Sequence, residues 1–203
     1  MTDAMSEVAT ALYSSGCLKF GSYHLKSGAP SQYYIDLACL LSSPRHFSAV
    51  TDIAASGIRR LAASARIDKL ASIELKGALL LANLCDRTGL PCVVVRKEEK
   101  AYGSTGRIAG ANITMGEHLL FFDDVVSEGL SKLEGIRPLE ELGAKIENIM
   151  VVVDREQGGK ESLESLGYKV HALARISQLT EILLDDKLIS QEQAGTVLSY
   201  IRK

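Results

Sequence analysis

The sequence predicts an α/β protein: a central, mainly parallel sheet of five strands flanked by helices, with a small N-terminal hood. Two observations support this prediction. From residue 43 onward, apolar runs of strand length alternate with helical patterns, and that alternation is typical of parallel βα units. Residues 1–42 contain one helix and then short β-like runs between Gly-Ser turns, which indicates a small sheet beside the main body.

The bulk composition limits the classes of protein to which the chain can belong. Its 203 residues suit one domain, with the hood over about residues 1–42 and the core over about 43–203. A net charge of −2, from 23 basic and 25 acidic residues, gives no overall field that would attract nucleic acid or an anionic membrane. No apolar run approaches the roughly 18 residues of a membrane span, and the start MTDAMSEVAT lacks the basic flank of a signal peptide. We therefore expect a cytoplasmic protein that binds neither nucleic acid nor membrane.

The N-terminal segments show three elements in order. DAMSEVATALYSSG has helical spacing and stops at Gly16, a suitable C-terminal glycine. CLKFGSYHLKSGAPSQYYIDLACL supplies the short strands of the hood. In SSPRHFSAVTDIAASGIRRLAAS, Ser43 can cap a helix whose first position suits Pro44.

Five apolar runs supply the strands of the main sheet, with helices between them. They are DKLASI, PCVVVR, HLLFFDD, IENIMVVVD and YKVHALA, and a helical pattern occupies the rest of the chain. After PCVVVR comes KEEKAYGSTGRIAGAN, a segment with little apolar content. A loop of that length in a compact domain is usually functional or mobile, so we expect a functional loop here.

Asp123 and Asp124 close the strand HLLFFDD. The carboxyl ends of parallel strands form the crevice in which open α/β sheets bind ligands. Ribose hydroxyls need acceptors, and Mg²⁺ held through a phosphorylated substrate needs oxygen ligands. Aspartate is also common as an ordinary helix cap in βα loops, and the dipeptide alone does not separate these two roles.

The residues after the aspartates favour a site for a phosphate. Ser127, Gly129 and Ser131 place hydroxyls and a flexible backbone before a helix N-terminus, where amide donors and the helix dipole favour an anion. Glu128 adds a negative charge there, and Leu130 removes a possible hydroxyl. A Glu128 side chain directed outward would leave only its amide at the site, whereas one directed inward would fill the anion site itself.

Basic residues follow two other strands. Arg96, Lys97 and Lys100 stand at the start of the long loop, where they would suit a multiply charged anion. The two glutamates among them are also typical of a solvated surface. Lys76 opens a helix, and a lysine at a helix N-terminus is electrostatically unfavourable unless an anion joins it.

Arg155 follows the strand that ends at Asp154. Arginine can hold a carboxylate through a two-pronged contact, and the alternative is an Asp-Arg pair at the surface. Four strand ends therefore present groups that suit a sugar or an anion. All four meet at one edge of the predicted sheet.

In this order the motifs resemble those of a type I phosphoribosyltransferase, and in detail those of the orotate phosphoribosyltransferase family. The resemblance covers nearly the whole chain, through FGSYHLKSGAPSQYYIDL, ELKG, VVVRKEEKAYGSTGRIAG, FFDDVVSEGLS, VVVDREQGG and LGYKVHAL. Each piece alone is a weak signal, and the ordered set is specific. The resemblance implies the type I phosphoribosyltransferase fold.

The resemblance also implies roles for individual residues. DDVVSEG matches the family's motif for phosphoribosyl diphosphate (PRPP), so that Asp123 and Asp124 would hold the ribose hydroxyls and residues 127–131 the 5′-phosphate. The positions implied to bind PRPP are Lys76, Arg96, Lys97, Tyr102, Asp123, Asp124, Ser127, Glu128, Gly129, Leu130 and Ser131. Those implied to surround orotate are Lys26, Tyr33, Tyr34, Ser127 and Arg155. Those implied to be catalytic are Lys100, Asp123 and Asp124.

The implied reaction joins orotate to PRPP and gives orotidine 5′-monophosphate and diphosphate, a step of pyrimidine (UMP) biosynthesis. Mg²⁺ is the implied cofactor, held through the substrate with Asp123 and Asp124 nearby. The transition state would resemble an oxocarbenium ion at ribose C1, and cations would stabilise the charge that grows on the departing diphosphate. A homodimer is implied as well, in which the loop 97–110 with Lys100 reaches the partner's active site.

The chain departs from the family's pattern at phosphate binding and loop closure. Threonine and a small residue are usual where Ser127 and Glu128 stand, glycine, serine or threonine at Leu130, and histidine at Tyr102. These departures motivate a second hypothesis, a catalytically weakened or inactive relative that binds nucleotide or PRPP in a regulatory role. A third is a phosphoribosyltransferase for another base, against which the basic residues at the ring-binding positions argue because they suit a carboxylated ring.

Overall fold

The computed structural model describes residues 2–24, 28–100 and 106–201. The helices and strands follow one another in the order α1 (Thr2–Ser14), β1 (Leu18–His24), β2 (Pro30–Ile35), a 3₁₀ helix (Leu37–Ser42), α2 (Pro44–Ala62), β3 (Lys69–Ile73), α3 (Lys76–Thr88), β4 (Cys92–Lys100), β5 (Gly106–Gly110), β6 (His118–Val126), α4 (Leu130–Glu141), β7 (Lys145–Asp154), α5 (Gly159–Ser165), β8 (Lys169–Arg175), α6 (Ile176–Asp185) and α7 (Gln191–Ile201). The chain divides into two compact units, one of the residues up to 53 together with those from 174, the other of residues 54–173.

The first unit contains the small N-terminal sheet that the sequence predicts. Strands β1 and β2 pair antiparallel, from Leu18 opposite Ile35 onward. Helix α7 packs against this sheet, and α6 packs against α1 and α7. The core of the unit forms where apolar residues recur at helical spacing, as Val8 and Leu12 do on α1, and both are fully buried.

The second unit is built on a sheet of six strands in the order β5-β4-β3-β6-β7-β8. Strand β3 is parallel to β4 and β6, and β6 is parallel to β7. All five predicted strands are present, but the prediction of a five-stranded sheet was one strand short. The sixth strand, β5, lies at the edge and pairs antiparallel with β4, with Ile108 opposite Val95.

Strand β5 corrects the expectation of a long loop at 97–110. Strand β4 continues through Lys97 to Lys100, where Gly106 pairs with it, so that the segment is a hairpin whose connecting residues 101–105 lie outside the description. An edge strand is held by backbone hydrogen bonds to one neighbour and does not need an apolar run. GRIAG, which has one large apolar residue between two glycines, therefore did not match the pattern of a strand.

The apolar runs of β3, β6 and β7 are buried on both faces. In β7 the residues from Asn148 to the strand end are all buried, as expected of a parallel strand covered by helices on each side. Helix α4 approaches the sheet so closely that a Cβ on Gly135 would lie 2.6 Å from the ring of Phe121. This close packing holds the middle of α4 against the middle of β6.

The strand order also locates the crevice in which α/β sheets bind ligands. From β3 the chain passes through α3 to β4 on one side, while β6 lies on the other side of β3. Ligands bind at such a switch point, outside the carboxyl ends of the strands. The segments that follow β3 and β6 therefore flank the expected site. Within the part of the chain that the structure describes, every helix falls short of the length and apolarity that crossing a membrane requires.

Candidate active site

The paired aspartates lie inside strand β6 rather than at its end, because β6 continues to Val126. Both are buried, Asp123 at 4% and Asp124 at 7% exposure. The amide of Asp124 donates to Asp123 Oδ1 at 2.9 Å, and the amide of Val125 donates to Asp124 Oδ1 at 2.8 Å. One oxygen of each carboxylate is thus held by the next residue along the chain.

Burial and the Asp123 carboxylate shift the pKa of Asp124 in one direction, and the nearby lysines shift it in the other. Burial, and then the neighbouring Asp123 carboxylate, raises the pKa of Asp124 to about 6. The ammonium groups of Lys132 and Lys76 and the Val125 amide lower it. Lys76, predicted from its place at a helix N-terminus, therefore acts on the predicted carboxylate pair, and the structure brings these two motifs together.

Lys132 is a site residue that sequence reasoning missed. Its Nζ lies 2.5 Å from Asp123 Oδ2 and 3.1 Å from Ser131 Oγ, and the residue is only 3% exposed. A signal for it exists in the sequence. The buried positions of α4 are Lys132, Gly135, Ile136 and Leu139, an i, i+3, i+4, i+7 stripe in which the lysine occupies a core-facing position.

The 127–131 loop has the backbone expected of an anion site. Gly129 precedes the first turn of α4 with φ 87° and ψ −20°, the left-handed conformation that favours glycine. The first amides of a helix have no intrahelical acceptor, so the start of α4 offers donors to a phosphate. Ser131, Glu128 and Leu130 are exposed and Ser127 is half-buried. The exposure of Glu128 agrees with a carboxylate directed into solvent.

The start of α5 supports this loop from behind. A Cβ on Gly159 would overlap the carbonyl oxygen of Ser127 and lie 2.7 Å from the amide nitrogen of Gly129. A Cβ on Gly129 would in turn lie 3.1 Å from the carbonyl oxygen of Gly159. Gly159, the second glycine of VVVDREQGG, therefore allows the two segments to touch, a role that no local pattern in the sequence indicates.

The turn between β3 and α3 reaches both the aspartates and strand β4. A Cβ on Gly77 would lie 2.5 Å from Asp123 Oδ1, so the start of α3 abuts that carboxylate. The peptide bond between Glu74 and Leu75 is cis. Glu74 Oε1 accepts a hydrogen bond from the amide of Lys97 at 2.8 Å, which ties this turn to the distal part of β4.

The predicted cations of β4 differ in their surroundings. Arg96 Nη1 donates to the carbonyl of Gly106 at 2.9 Å, and its own carbonyl accepts from Arg107 Nε at 3.1 Å. The Lys97 side chain is exposed. Arg96 thus contributes to holding the hairpin together, while Lys97 is available to an anion in solution.

Arg155 lies beside the end of β6. Its amide donates to the carbonyl of Val126 at 2.9 Å, and the residue is 9% exposed. Asp154 Oδ1 accepts from the amide of Glu156 at 2.8 Å, and burial raises the pKa of Asp154. These bonds shape the turn after β7. The backbone of Arg155 lies next to Val126, the residue before Ser127, so two positions predicted to bind orotate are close together.

The remaining predicted ring-binding residues lie in the first unit or outside the description. Tyr33 is fully buried, with its ring 6.0 Å from that of Tyr200. Tyr34 is 37% exposed, with its ring 5.6 Å from that of Tyr23, so Tyr34 is the better placed of the pair for a ligand. Outside the residues that the structure describes lie Lys26, Tyr102 and the side chain of Lys100.

The carboxylate pair fits a Mg²⁺ ion that is bound together with a substrate. Mg²⁺ is usually held by one or two carboxylates plus phosphate oxygens and waters, rather than by a cage of side chains. Among the described residues, no group of three or more His, Cys, Asp or Glu could hold a metal ion. The Asp123 carboxylate raises the pKa of Asp124 through like-charge repulsion, and a cation brought by the substrate would relieve that repulsion.

Comparison with known proteins places the chain in a family. No protein-family model matches the chain. The orotate phosphoribosyltransferase of Pyrococcus abyssi is 34% identical over 175 residues, which is 86% of this chain and 94% of that protein. Among solved structures, UMP synthase of Leishmania donovani has a TM-score of 0.86 at 30% identity over 97% of this chain, which spans 42% of that longer protein. Orotate phosphoribosyltransferase from Aeropyrum pernix has a TM-score of 0.75 at 27% identity, covering 90% of this chain and 99% of its own. Because the identity to the Pyrococcus protein extends over nearly all of both chains, this protein belongs to the orotate phosphoribosyltransferase family.

Proposed function

We propose that this chain transfers the phosphoribosyl group of PRPP to orotate and produces orotidine 5′-monophosphate and diphosphate, a step of pyrimidine biosynthesis. One observation supports this function above the others. The buried pair Asp123 and Asp124 lies between a first-turn lysine of α3 and the glycine-capped start of α4. Acceptors for a sugar thus stand beside donors for a phosphate, as PRPP requires.

PRPP is bound through its sugar and its 5′-phosphate. Asp123 and Asp124 accept hydrogen bonds from the ribose hydroxyls, which a carboxylate can do with lone pairs left over from the backbone amides. The 127–131 loop donates its amides and the hydroxyls of Ser127 and Ser131 to the phosphate. Both contacts fix the ribose so that C1 faces the second substrate.

The departing diphosphate needs positive charge as its bond to C1 lengthens. Lys76 lies beside the aspartates, and Arg96, Lys97 and Lys100 follow on β4. Mg²⁺, when bound with PRPP near Asp123 and Asp124, would supply further charge to the diphosphate oxygens. These positive side chains stabilise charge that develops in the transition state. Such interactions lower the activation barrier more than interactions already made with the bound substrate.

Orotate supplies the electron pair for the new bond. The bond between C1 and the diphosphate oxygen breaks with its electrons on the leaving oxygen, orotate N1 bonds to C1, and the proton of N1 passes to the departing diphosphate. Arg155, whose amide donates to the carbonyl of Val126 next to Ser127, is the candidate to bind the orotate carboxylate. No side chain acts as a nucleophile in this scheme.

The function is tested by mixing the protein with Mg²⁺, PRPP and orotate and following the loss of orotate absorbance. We expect turnover that depends on both substrates. Folded protein that gives no product at saturating substrate concentrations would contradict the proposal. Calorimetry with PRPP would then distinguish a binding protein without chemistry from one that does not bind PRPP.

We further propose a cytoplasmic homodimer in which the β4–β5 hairpin delivers Lys100 to the partner's site. The described cysteines are free thiols, which suits a reducing compartment. A shared site predicts complementation: Lys100→Ala and Asp124→Asn proteins, each of low activity alone, should gain activity when mixed and allowed to exchange subunits. A mixture that gains no activity although mixed dimers form would contradict the shared site.

A further inference from the structure

We infer that Lys132 is a positioning residue for PRPP: its ammonium bridges Asp123 and Ser131, and so fixes the ribose-binding carboxylate relative to the phosphate-binding loop. This inference rests on the proposed function and adds a residue to it. Lys132 itself would touch neither the sugar nor the phosphate. It acts through the two residues to which it donates.

Two hydrogen bonds hold the Asp123 carboxylate in one orientation. Oδ2 of Asp123 accepts from Lys132 Nζ at 2.5 Å, while Oδ1 accepts from the amide of Asp124 at 2.9 Å. The side chains of Lys132 and Asp123 are 4% and 6% exposed, so water does not compete for these bonds. Each carboxylate oxygen still has a second lone pair for a ribose hydroxyl. The acceptor is therefore set in place before PRPP arrives.

The same ammonium determines how Ser131 can serve a phosphate. Lys132 Nζ lies 3.1 Å from Ser131 Oγ, and an ammonium can only donate. Ser131 is therefore the acceptor in that bond, and its own hydrogen is left to point elsewhere. The Ser131 hydroxyl can therefore donate its hydrogen to an oxygen of the 5′-phosphate bound at the start of α4.

A structural role alone explains the placement of Lys132 poorly. A cation in the first turn of a helix opposes the helix dipole, and burying an ion pair is often no better for stability than packing apolar residues there. The neighbours of Lys132 on the buried stripe of α4 are Gly135, Ile136 and Leu139, so an apolar residue would continue that stripe. The presence of a lysine at position 132 is explained by the Asp123 carboxylate that its ammonium orients.

The test is a substitution series at position 132, assayed for KM of PRPP, KM of orotate and kcat. Lys132→Arg keeps the charge and the donors, Lys132→Gln keeps only a neutral donor, and Lys132→Met keeps only volume. We expect KM for PRPP to rise in that order, by about tenfold to a hundredfold for methionine, the range for losing a charge-assisted hydrogen bond. KM for orotate should change little.

Removing one partner of a buried ion pair often destabilises a protein, so melting temperatures are measured alongside. If Lys132→Met does not fold, Lys132→Gln replaces it in the test, because its amide still donates to Asp123. The matched control is Arg137→Met, which removes a positive charge from the exposed face of the same helix and should leave all three kinetic constants unchanged.

Two results would overturn the inference. One is a folded glutamine or methionine variant with a lowered melting temperature and a KM for PRPP within twofold of the wild type, which would make Lys132 a structural counter-ion only. The other is an equal rise in both KM values. A wild-type protein without turnover is a different result, because it contradicts the proposed function and not the role of Lys132.

Discussion

A Cβ atom on Gly159 would lie 2.7 Å from the amide nitrogen of Gly129. Real Cβ atoms essentially never lie within 3.0 Å of another non-bonded heavy atom. The atom nearest to this Cβ belongs to the backbone, which cannot swing aside as a flexible side chain can. The start of α5 and the start of α4 are thus in direct backbone contact. The shape of the 127–131 loop depends on the residue at position 159.

We predict that Gly159→Ala weakens PRPP binding more than it weakens the fold. The added methyl group must push the 127–131 loop away, which moves its amides off the phosphate. KM for PRPP should rise about tenfold or more, with a loss of unfolding free energy of about 1–3 kcal/mol for overpacking. Steady-state kinetics and thermal melting measure the two effects.

Gly195→Ala is the matched control, since a Cβ on Gly195 meets nothing within 4 Å. Gly195 lies in helix α7, where alanine should stabilise the helix by up to about 1 kcal/mol. PRPP kinetics should not change. A Gly159→Ala protein with the KM of the wild type would show that the loop tolerates displacement.

The raised pKa of Asp124 predicts how PRPP use depends on pH. Burial and Asp123 raise this pKa to about 6, so the carboxylate gains its proton as the pH falls through about 6. A protonated carboxyl accepts fewer hydrogen bonds from ribose. We expect kcat/KM for PRPP, which reports on the free enzyme, to decline below pH 6.

The fold should survive in the same pH range. Between about pH 4 and 6 the native state binds a proton at Asp124 that an ordinary unfolded aspartate does not, so this group raises the free energy of unfolding as the pH falls. Asp68 and Glu117 have lowered pKa values because each accepts hydrogen bonds, from the His118 amide and from Lys69 respectively. The stability that they contribute is lost only at lower pH. Melting temperatures between pH 5 and 6 test this expectation.

Asp124→Asn separates the enzyme's titration from that of the substrate, since a phosphate monoester also titrates near pH 6. The variant should have a lower kcat/KM throughout, and its acidic decline should retain only the substrate's ionisation. Profiles of identical shape in the two proteins would assign the whole decline to PRPP.

The sequence predicted those parts of the fold and site that depend on local pattern. The inner strands were found because a parallel strand buried on both faces is a continuous apolar run. Lys76 was predicted to bind an anion because a cation at a helix start is locally unfavourable, and the structure places its charge near Asp124. Strand β5 was missed because an edge strand is defined by its partner β4. The contact of Gly159 with Gly129 joins segments thirty residues apart, which no local pattern records.

Lys132 shows the same limit within the site. A lysine near the start of a helix looks like a solvated surface residue, and only its register with Ile136 and Leu139 indicates burial. The nature of its partner could not be inferred, because Asp123 and Asp124 alternate in direction along the strand. Which carboxylate meets α4 depends on how the helix packs on the sheet.

The buried thiol of Cys17 and the half-buried thiol of Cys92 should resist alkylation in the native protein. Burial raises the pKa of Cys17 to about 11 and that of Cys92 to about 12, and the thiolate is the reactive form. With iodoacetamide at pH 8, we expect mass spectrometry to find Cys17 and Cys92 unmodified in folded protein and all four cysteines modified in urea. Rapid modification of Cys92 without urea would mean that β4 opens from the sheet.

Removing the charge of Glu128 should improve PRPP binding. The residue is exposed and adjoins amides that favour an anion, so its carboxylate repels the 5′-phosphate through solvent. Exposed charges interact weakly, and we expect Glu128→Ala and Glu128→Thr to lower KM for PRPP by about two- to fivefold. The gain should shrink at high salt, because salt screens charges outside the protein. Glu134→Ala, another exposed glutamate of α4, is the control and should change KM less. A rise in KM on removing Glu128 would instead show that its side chain helps to hold the loop.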